Sequence, residues 1–234
     1  ADQISAAYKG SPFSPLPPAF IPPEPPQLAP RQRVEESSIE LGHTHLSWHI
    51  PDIRHEDLPA LETLSIILGG GRSSRLYRSL REEQGIVHAI DAWTYNPGNP
   101  GLFGISAVFD GGQYEKAVQG IEAELQGVRE KGVTSSEVAK AVKQFTSATL
   151  AARKTMQGQA QDLGGAWMAA RDLGFSNRYL SQVQSITAEK IVEVANRYMF
   201  PDNRSTFALL PKGSSPVSLR KSANVHRTEI EKWE

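Results

Sequence analysis

The sequence predicts an α+β domain, a two-layer sandwich in which a mainly antiparallel or mixed sheet carries helices on one face. Three observations support this class. Strand-like alternation opens the globular body, a turn rich in Pro, Gly and Asn joins two strands within residues 86–110, and helical periodicity dominates from about 114 to 199. This order differs from the regular alternation of strand and helix in a doubly wound parallel sheet.

The first half of the body predicts strands, two helices and the hairpin. Alternation over residues 33–50 indicates one or two strands, and helical spacing of leucines follows, with Asp57 as the expected N-cap. That helix stops at the glycines of residues 69–71. Ser73 or Ser74 would cap a second helix before the hairpin.

The second half predicts a run of helices and one closing strand. An amphipathic helix ends at Gly132, and the stretch TSSEV that follows has the Thr-x-x-Glu spacing of a capping box. Further helical segments continue to a last helix capped by Thr187. The stretch STFALLP, residues 205–211, has the composition of a strand.

Composition divides the chain into three regions. Residues 1–32 are expected to form a proline-rich connector, because each proline lacks an N–H and biases its predecessor towards extended conformations. Residues 33–212 form the α+β domain. Residues 213–234 are a polar C-terminal tail, in which Val217, Leu219, Ile230 and Trp233 offer local packing.

Charge and cysteine content exclude several function classes. Lys+Arg 25 against Asp+Glu 26 gives a net charge of -1, so no global field favours nucleic acid or an anionic membrane. The absence of cysteine excludes disulfides, thiolate metal sites and a cysteine nucleophile. No apolar run approaches the roughly 20 residues that span a bilayer. We therefore expect no nucleic-acid partner and no membrane span.

The stretch GGGRSSRLYRSLREE, residues 69–83, does not fit a phosphate-binding loop. It lacks the Lys-Ser/Thr ending of a P-loop, and a helix rather than a strand precedes the glycines. Arginines recur every third residue and could form a basic stripe, but Glu82 and Glu83 interrupt it. A solvated helix face is the simpler interpretation.

Three histidines share one face of a predicted strand: His43, His45 and His49. His43 and His49 would lie about 20 Å apart along a strand, so at most two of the three could share one ion. Neither H-E-x-x-H nor H-x-x-E-H occurs, and no G-x-S-x-G is present. We expect surface histidines and no metal site in this chain. A free-standing metal-dependent hydrolase using His43 and His45 stays an alternative.

A family resemblance rests on two stretches. Residues 61–109, LETLSIILGGGRSSRLYRSLREEQGIVHAIDAWTYNPGNPGLFGISAVF, resemble the C-terminal, non-zinc domain of the pitrilysin/insulinase-type zinc metallopeptidases, or inverted zincins. This family includes the mitochondrial processing peptidase and the core proteins of a respiratory complex. The stretch EKGVTSSEVAKAVKQFTSATL resembles a later helix of the same family. Order and spacing of the motifs agree over about residues 22–211.

The resemblance implies a two-domain arrangement around an extended peptide. In this family two homologous α+β domains form a half-shell, and two half-shells close over the substrate. One domain carries H-x-x-E-H and zinc, which this chain lacks. We therefore expect no cofactor in this chain, zinc on a homologous partner domain or subunit, and a dimer or larger assembly. The sequence leaves the compartment open, and the family analogy is compatible with a periplasm or another extracytoplasmic compartment.

The resemblance also implies candidate substrate-binding residues. In active members, an Arg and a Tyr seven residues later lie opposite the zinc and help to hold the substrate and its oxyanion. Arg81 matches the arginine, whereas His88 occupies the tyrosine position. Gly69, Gly70 and Gly71 resemble a short form of the glycine-rich loop in the non-catalytic subunit of the mitochondrial processing peptidase. A helix-terminal charge, a surface strand residue and a simple helix stop are the structural alternatives.

These expectations define a non-catalytic domain of a zinc metalloendopeptidase, with no catalytic residue in this chain alone. It would form part of the peptide-binding chamber and contribute the Arg81/His88 clamp. A purely structural or assembly protein of the same family is the first alternative.

Overall fold

The predicted order of strands and helices is observed in the computed structural model, which describes residues 2–10, 22, 25–97 and 99–214. The strands are β1 Arg31–Ser37, β2 Leu41–Ile50, β3 Val87–Tyr95, β4 Gly101–Asp110 and β5 Arg204–Pro211. The α-helices are α1 Asp2–Ala7, α2 Leu58–Gly69, α3 Tyr114–Lys131, α4 Ser135–Ala152, α5 Met156–Ala170, α6 Phe175–Gln184 and α7 Ala188–Tyr198. A π-helix spans Tyr77–Glu83, and short 3₁₀ turns span Gly111–Gln113 and Pro201–Asn203.

The five strands form one mixed sheet in the order β1-β5-β2-β4-β3. β1 and β5 are parallel, and the other neighbours are antiparallel. The last strand is therefore inserted between the first two. Gln27 helps to fix this arrangement, because its side-chain amide donates to the carbonyls of Asp202 and Arg204 at 2.9 and 2.8 Å. The α+β class and the mixed sheet predicted from sequence are confirmed.

One face of the sheet is buried against the helices, and the other is not. On β2, Leu46, Trp48 and Ile50 are buried, while the alternating His43 and His45 are exposed. The same alternation continues on the neighbouring strands because cross-strand partners share a face. We call the second surface the open face. Along β5, β2, β4 and the edge strand β3 it is lined by His43, His45, His49, Trp93, Tyr95, Ser106 and Phe207.

Helix α2 lies at the centre of the helical layer. Its leucines at helical spacing are buried, and α4, α6 and α7 pack against it. Asp57 occupies the expected N-cap position, but its side chain makes no capping hydrogen bond. The fully buried carboxylate instead reaches α7, with Lys190 Nζ at 2.7 Å and Arg197 NH1 at 2.5 Å. The predicted capping role is wrong because two cations and the Tyr198 hydroxyl, at 2.7 Å, compete for the carboxylate.

The electrostatics of Asp57 follow from these contacts. Burial by itself would raise the pKa of this carboxyl group, but the hydrogen bonds from Lys190, Tyr198 and Arg197 outweigh it and leave the pKa below its usual value. Asp57 therefore stays ionised at neutral pH and fastens the beginning of α2 to α7.

The second predicted helix differs from expectation in its geometry. It is a π-helix, and its last turn closes with a bond from Gln84 N to Ser79 O at 3.1 Å. Among the described residues, the hydroxyl of Ser74 is buried without a hydrogen-bond partner, and that of Ser73 accepts from Lys140. Neither serine caps the helix through its side chain, which corrects that prediction.

Other helix ends agree with the sequence. Thr134 and Glu137 form a reciprocal capping box at the start of α4, and Thr187 accepts from Lys190 N at the start of α7. Gly132 ends α3 with φ 77, in the left-handed region that favours glycine.

The connector and the tail predicted from sequence lie largely outside the described residues. Residues 11–21, 23–24 and 215–234 are among those not described, so the prediction of a polyproline-like connector and of a packed tail stays a prediction. Within the predicted connector, residues 2–7 form α1, whose side chains are exposed.

Arg75 joins the π-helix region to the start of α4. Its guanidinium donates to both carboxylate oxygens of Glu137, at 2.6 and 2.9 Å, and to the carbonyl of Gly132 at 3.0 Å. The hydrogen bond from Arg75 is the largest cause that lowers the pKa of Glu137 to about 2, and the N–H and hydroxyl of Thr134 add to it. A carboxylate with this many donors is stabilised in its ionised form.

We expect Glu137→Gln to lower the free energy of unfolding at pH 7 by about 2 kcal/mol, since the charge-assisted bonds are lost. The folded pKa lies below the unfolded one, so this contribution is complete above pH 4.5 and disappears as the pH falls towards about 2. Urea unfolding of both proteins across this range measures the difference. The exposed Glu82→Gln is the control, and an equal loss in both variants would contradict the assignment.

Candidate functional site

Arg81 lies near the end of the π-helix with its side chain exposed. Its guanidinium carbon is 4.9 Å from the centre of the Tyr77 ring, one helical turn earlier. This stacking restricts the side chain while leaving its N–H donors available. Tyr77 itself packs against the core, so the cation rests on a fixed surface.

His88 lies at a β-bulge near the start of β3, where the pairing with β4 shifts between Val87 and Ala89. Its Nε2 is 3.0 Å from Oδ1 of Asp110, at the end of β4. An ionised carboxylate only accepts hydrogen bonds, so this contact places a proton on Nε2. Both side chains are more than half exposed, at 55% and 72%, so the pair contributes little to stability.

The two candidate clamp residues are therefore close in the chain and have different partners. Gly85, with φ 63, reverses the chain between them, and Ile86 N donates to Leu80 O at 2.8 Å. These bonds fix the end of the π-helix relative to the start of β3. Sequence reasoning missed Asp110 and Tyr77. The spacing of four residues between Tyr77 and Arg81 on a predicted helix could have indicated their contact. Asp110 carries no such signal, because it meets His88 only once the hairpin is folded.

The three glycines have distinct structural surroundings. A β-carbon on Gly69 would lie 2.0 Å from the backbone N of Ala92 in β3, so α2 approaches the sheet too closely for any side chain there. Gly70 ends the helix with its N–H on Ile66 O, at 2.8 Å. Gly71 has φ 89 and open space around it. Glycine at position 69 is thus required by the packing of α2 against β3. Contact between the glycine loop and a substrate stays a prediction.

The histidines of β2 lie on the open face, as their spacing predicted. His45 Nδ1 is 2.9 Å from Ser106 Oγ, which also accepts from Trp93 Nε1 at 2.8 Å. Asp91 lies opposite Ser106 on β3; burial raises the pKa of its carboxyl group, and the nearby His45 partly offsets this.

No metal cluster is formed by these histidines within the described part of the chain. Over residues 2–10, 22, 25–97 and 99–214, no group of three His, Cys, Asp or Glu side chains is arranged to hold an ion. The open face presents hydrogen-bonding and aromatic side chains, with the Asp91 carboxyl group opposite Ser106 and near His45. None of the helices in the same ranges is long and apolar enough to cross a membrane.

The fold and these residues define an α+β domain with a mixed five-stranded sheet, in a sequence without H-x-x-E-H. Residues 2–145 match the family model described as the peptidase M16 inactive domain. The chain belongs to this family. The resemblance seen in its sequence is thereby confirmed.

Curated relatives are named as zinc proteases. An uncharacterized zinc protease of Streptomyces coelicolor is 28% identical over 171 residues, which cover 70% of this chain and 36% of that protein. An uncharacterized zinc protease of Rickettsia felis is 27% identical, over 70% of this chain and 39% of that protein. The chain thus spans well under half the length of these two relatives.

Solved structures confirm the fold. A protease from Helicobacter pylori superposes with a TM-score of 0.80 at 20% identity, over 90% of this chain and 51% of that one. A peptidase M16 inactive domain from Pseudomonas fluorescens gives 0.77 at 19% identity, over 92% and 50%. At these identities the likeness concerns the fold alone.

We expect Gly69→Ala to cost on the order of 3 kcal/mol of stability, because the added methyl group would meet backbone atoms of β3 that cannot rotate away. Gly71→Ala, where only the positive φ is strained, should cost about 1 kcal/mol. Thermal or urea unfolding of the two variants compares them directly. Equal losses would show that the close approach to β3 is not limiting.

Proposed function

We propose that this chain is the non-catalytic domain of a zinc metalloendopeptidase and forms part of the wall of its peptide-binding chamber. Membership of the inactive-domain family supports the first part of the proposal. The relatives named as zinc proteases are much longer than this chain, which leaves room for a zinc-binding domain in the complete proteins. Zinc would be held by that partner domain or subunit.

The observation that carries the clamp hypothesis is the exposure of Arg81 on a rigid support. Arg81 is stacked on Tyr77, and the helix that bears it is fastened to β3 through Leu80 and Ile86. A guanidinium held in this way has little conformational entropy to lose when it binds a peptide carbonyl or a developing oxyanion. His88, with a proton on Nε2 directed at Asp110, would supply a second donor after it leaves that carboxylate.

Peptidase activity tests this proposal. We expect the chain alone to be inert and zinc-free, and activity on a quenched, unstructured peptide to appear with a partner that carries H-x-x-E-H. Arg81→Ala should then lower kcat/KM by about 100-fold, the range seen when a single oxyanion donor is removed. His88→Ala should lower it less, and His88→Tyr should retain activity because a phenol also donates a hydrogen bond.

Arg78→Ala is the matched control, because Arg78 is exposed on the same helix and pairs only loosely with Glu83, at 3.7 Å. Unchanged kcat/KM in Arg81→Ala, with zinc still bound to the partner, would rule out the clamp and favour a purely structural or assembly role. Stoichiometric zinc and cleavage by this chain alone would favour a hydrolase that uses His43 and His45.

A further inference from the structure

A small cavity opens in the helical layer, beside the turn between β3 and β4 and away from Arg81 and His88. Its volume is about 240 Å³, and its apolar walls come from α2, α4 and α6. The wall residues that matter for recognition are Glu62, Phe145, Phe175 and Tyr179. The size is below the range of about 300–1,000 Å³ that is usual for drug-sized ligands, so a single side chain or a small molecule is the matching occupant.

Glu62 is a carboxyl group without a cation. The hydroxyl of Thr94 donates to its Oε2 at 2.5 Å, and no lysine, arginine or histidine pairs with it in the ranges that the structure describes. Burial raises the pKa of this carboxyl group, and the Thr94 hydrogen bond only partly offsets the rise. A carboxylate taken out of water without a partner is destabilised, and a bound cation would remove that penalty.

The neighbouring charges do not compensate Glu62. Arg153 also lines the cavity, but its guanidinium is already paired with Asp162 at 3.0 Å and donates to Asn177 at 2.9 Å. A second acceptor is available as well, because Oδ1 of Asn96 is buried without a hydrogen-bond partner among the described residues. The Nε of Arg153 is also buried without a hydrogen bond, but it faces Oδ2 of Asp162 at 3.0 Å, so that carboxylate neutralises the arginine. Among the described residues, Glu62 is thus the carboxyl group of this cavity that no cation pairs with.

Aromatic rings complete the cavity. The ring centroid of Tyr179 is 6.0 Å from that of Phe145 and 5.6 Å from that of Phe175. Tyr179 and Glu62 line the same cavity, and the pKa of the tyrosine is raised by burial and also by the charge of Glu62. Aromatic faces around a carboxylate attract organic cations and bury the alkyl chain that carries the charge.

We propose that this cavity binds a primary ammonium group on an alkyl chain, with Glu62 as the counter-ion and the rings of Phe145, Phe175 and Tyr179 around the chain. A lysine side chain of a peptide and a free alkyl amine share this chemistry. The site is separate from the chamber-wall role proposed above, and it stands whether or not Arg81 contributes to proteolysis.

The first experiment compares n-pentylammonium with 1-pentanol, which has the same chain length and no charge. Binding is followed by NMR chemical shifts of the folded protein at neutral pH. We expect pentylammonium to bind more tightly and to shift resonances of Thr94 and Tyr179. In Glu62→Gln, which keeps an acceptor for Thr94, its affinity should fall about tenfold while that of pentanol is unchanged.

Two further variants keep the test independent of folding defects. Phe145→Leu keeps apolar volume but removes a π face, and should weaken pentylammonium about threefold to fivefold. Glu56→Gln removes the same charge from an exposed position six residues earlier and should leave both affinities unchanged. Equal losses in Glu56→Gln and Glu62→Gln, or equal affinity for pentanol and pentylammonium, would overturn the proposal.

The source of the ammonium group is identified in a second set of titrations. An unstructured peptide with one lysine is compared with the same peptide carrying norleucine, and both with the diamine cadaverine. Glu62-dependent binding of the lysine peptide identifies a peptide ligand. Glu62-dependent binding of cadaverine alone identifies a free amine, and no binding of either contradicts the site.

Discussion

The close approach of α2 to β3 is the constraint on which the arrangement of this domain depends. At Gly69 the helix lies directly on the backbone of Ala92, where a β-carbon would overlap the amide nitrogen. α2 in turn packs against α4, α6 and α7, so its position constrains these three helices directly. The chain then turns through Gly71 into the π-helix that carries Arg81. The location of the candidate clamp is thus a consequence of helix–sheet packing.

Two carboxylates hold this layer together from opposite ends of α2. Asp57 connects its beginning to α7, and Glu137 connects the segment after its end to α4 through Arg75. Each has an arginine partner and further hydrogen-bond donors, which is why both carboxyl groups have a lowered pKa. Arg75 and Arg81 therefore have different surroundings although they lie on neighbouring turns. The first is occupied within the domain, and the second is exposed, with its guanidinium over the Tyr77 ring.

The two faces of the sheet differ: one packs against the helices, and the other presents polar and aromatic side chains. The helical side of the sheet is apolar and buried, whereas the open face presents histidine, serine and aromatic side chains in alternating positions. The chain belongs to the inactive-domain family, and the open face presents hydrogen-bonding and aromatic side chains to its surroundings. Glu62 is an exception on the helical side, since it is a carboxyl group among aromatic rings that no cation of the described residues pairs with. A buried carboxyl group is normally paired with a cation, and positions that depart from this pattern are often binding sites.

The sequence by itself determined the fold class, most helix and strand positions, the capping box of Thr134 and Glu137, and the shared face of His43 and His45. These features depend on local periodicity and on hydrogen bonds between near neighbours. Tertiary structure decided what long-range partners control: Asp57 binds α7 instead of capping α2, His88 meets Asp110 across the hairpin, and Gly69 is required by contact with β3. It also brought Glu62 together with Phe145 and Tyr179, which lie about 80 or more residues further along the chain. Such contacts form only after the helices have packed together, so the periodicity of the sequence does not predict them.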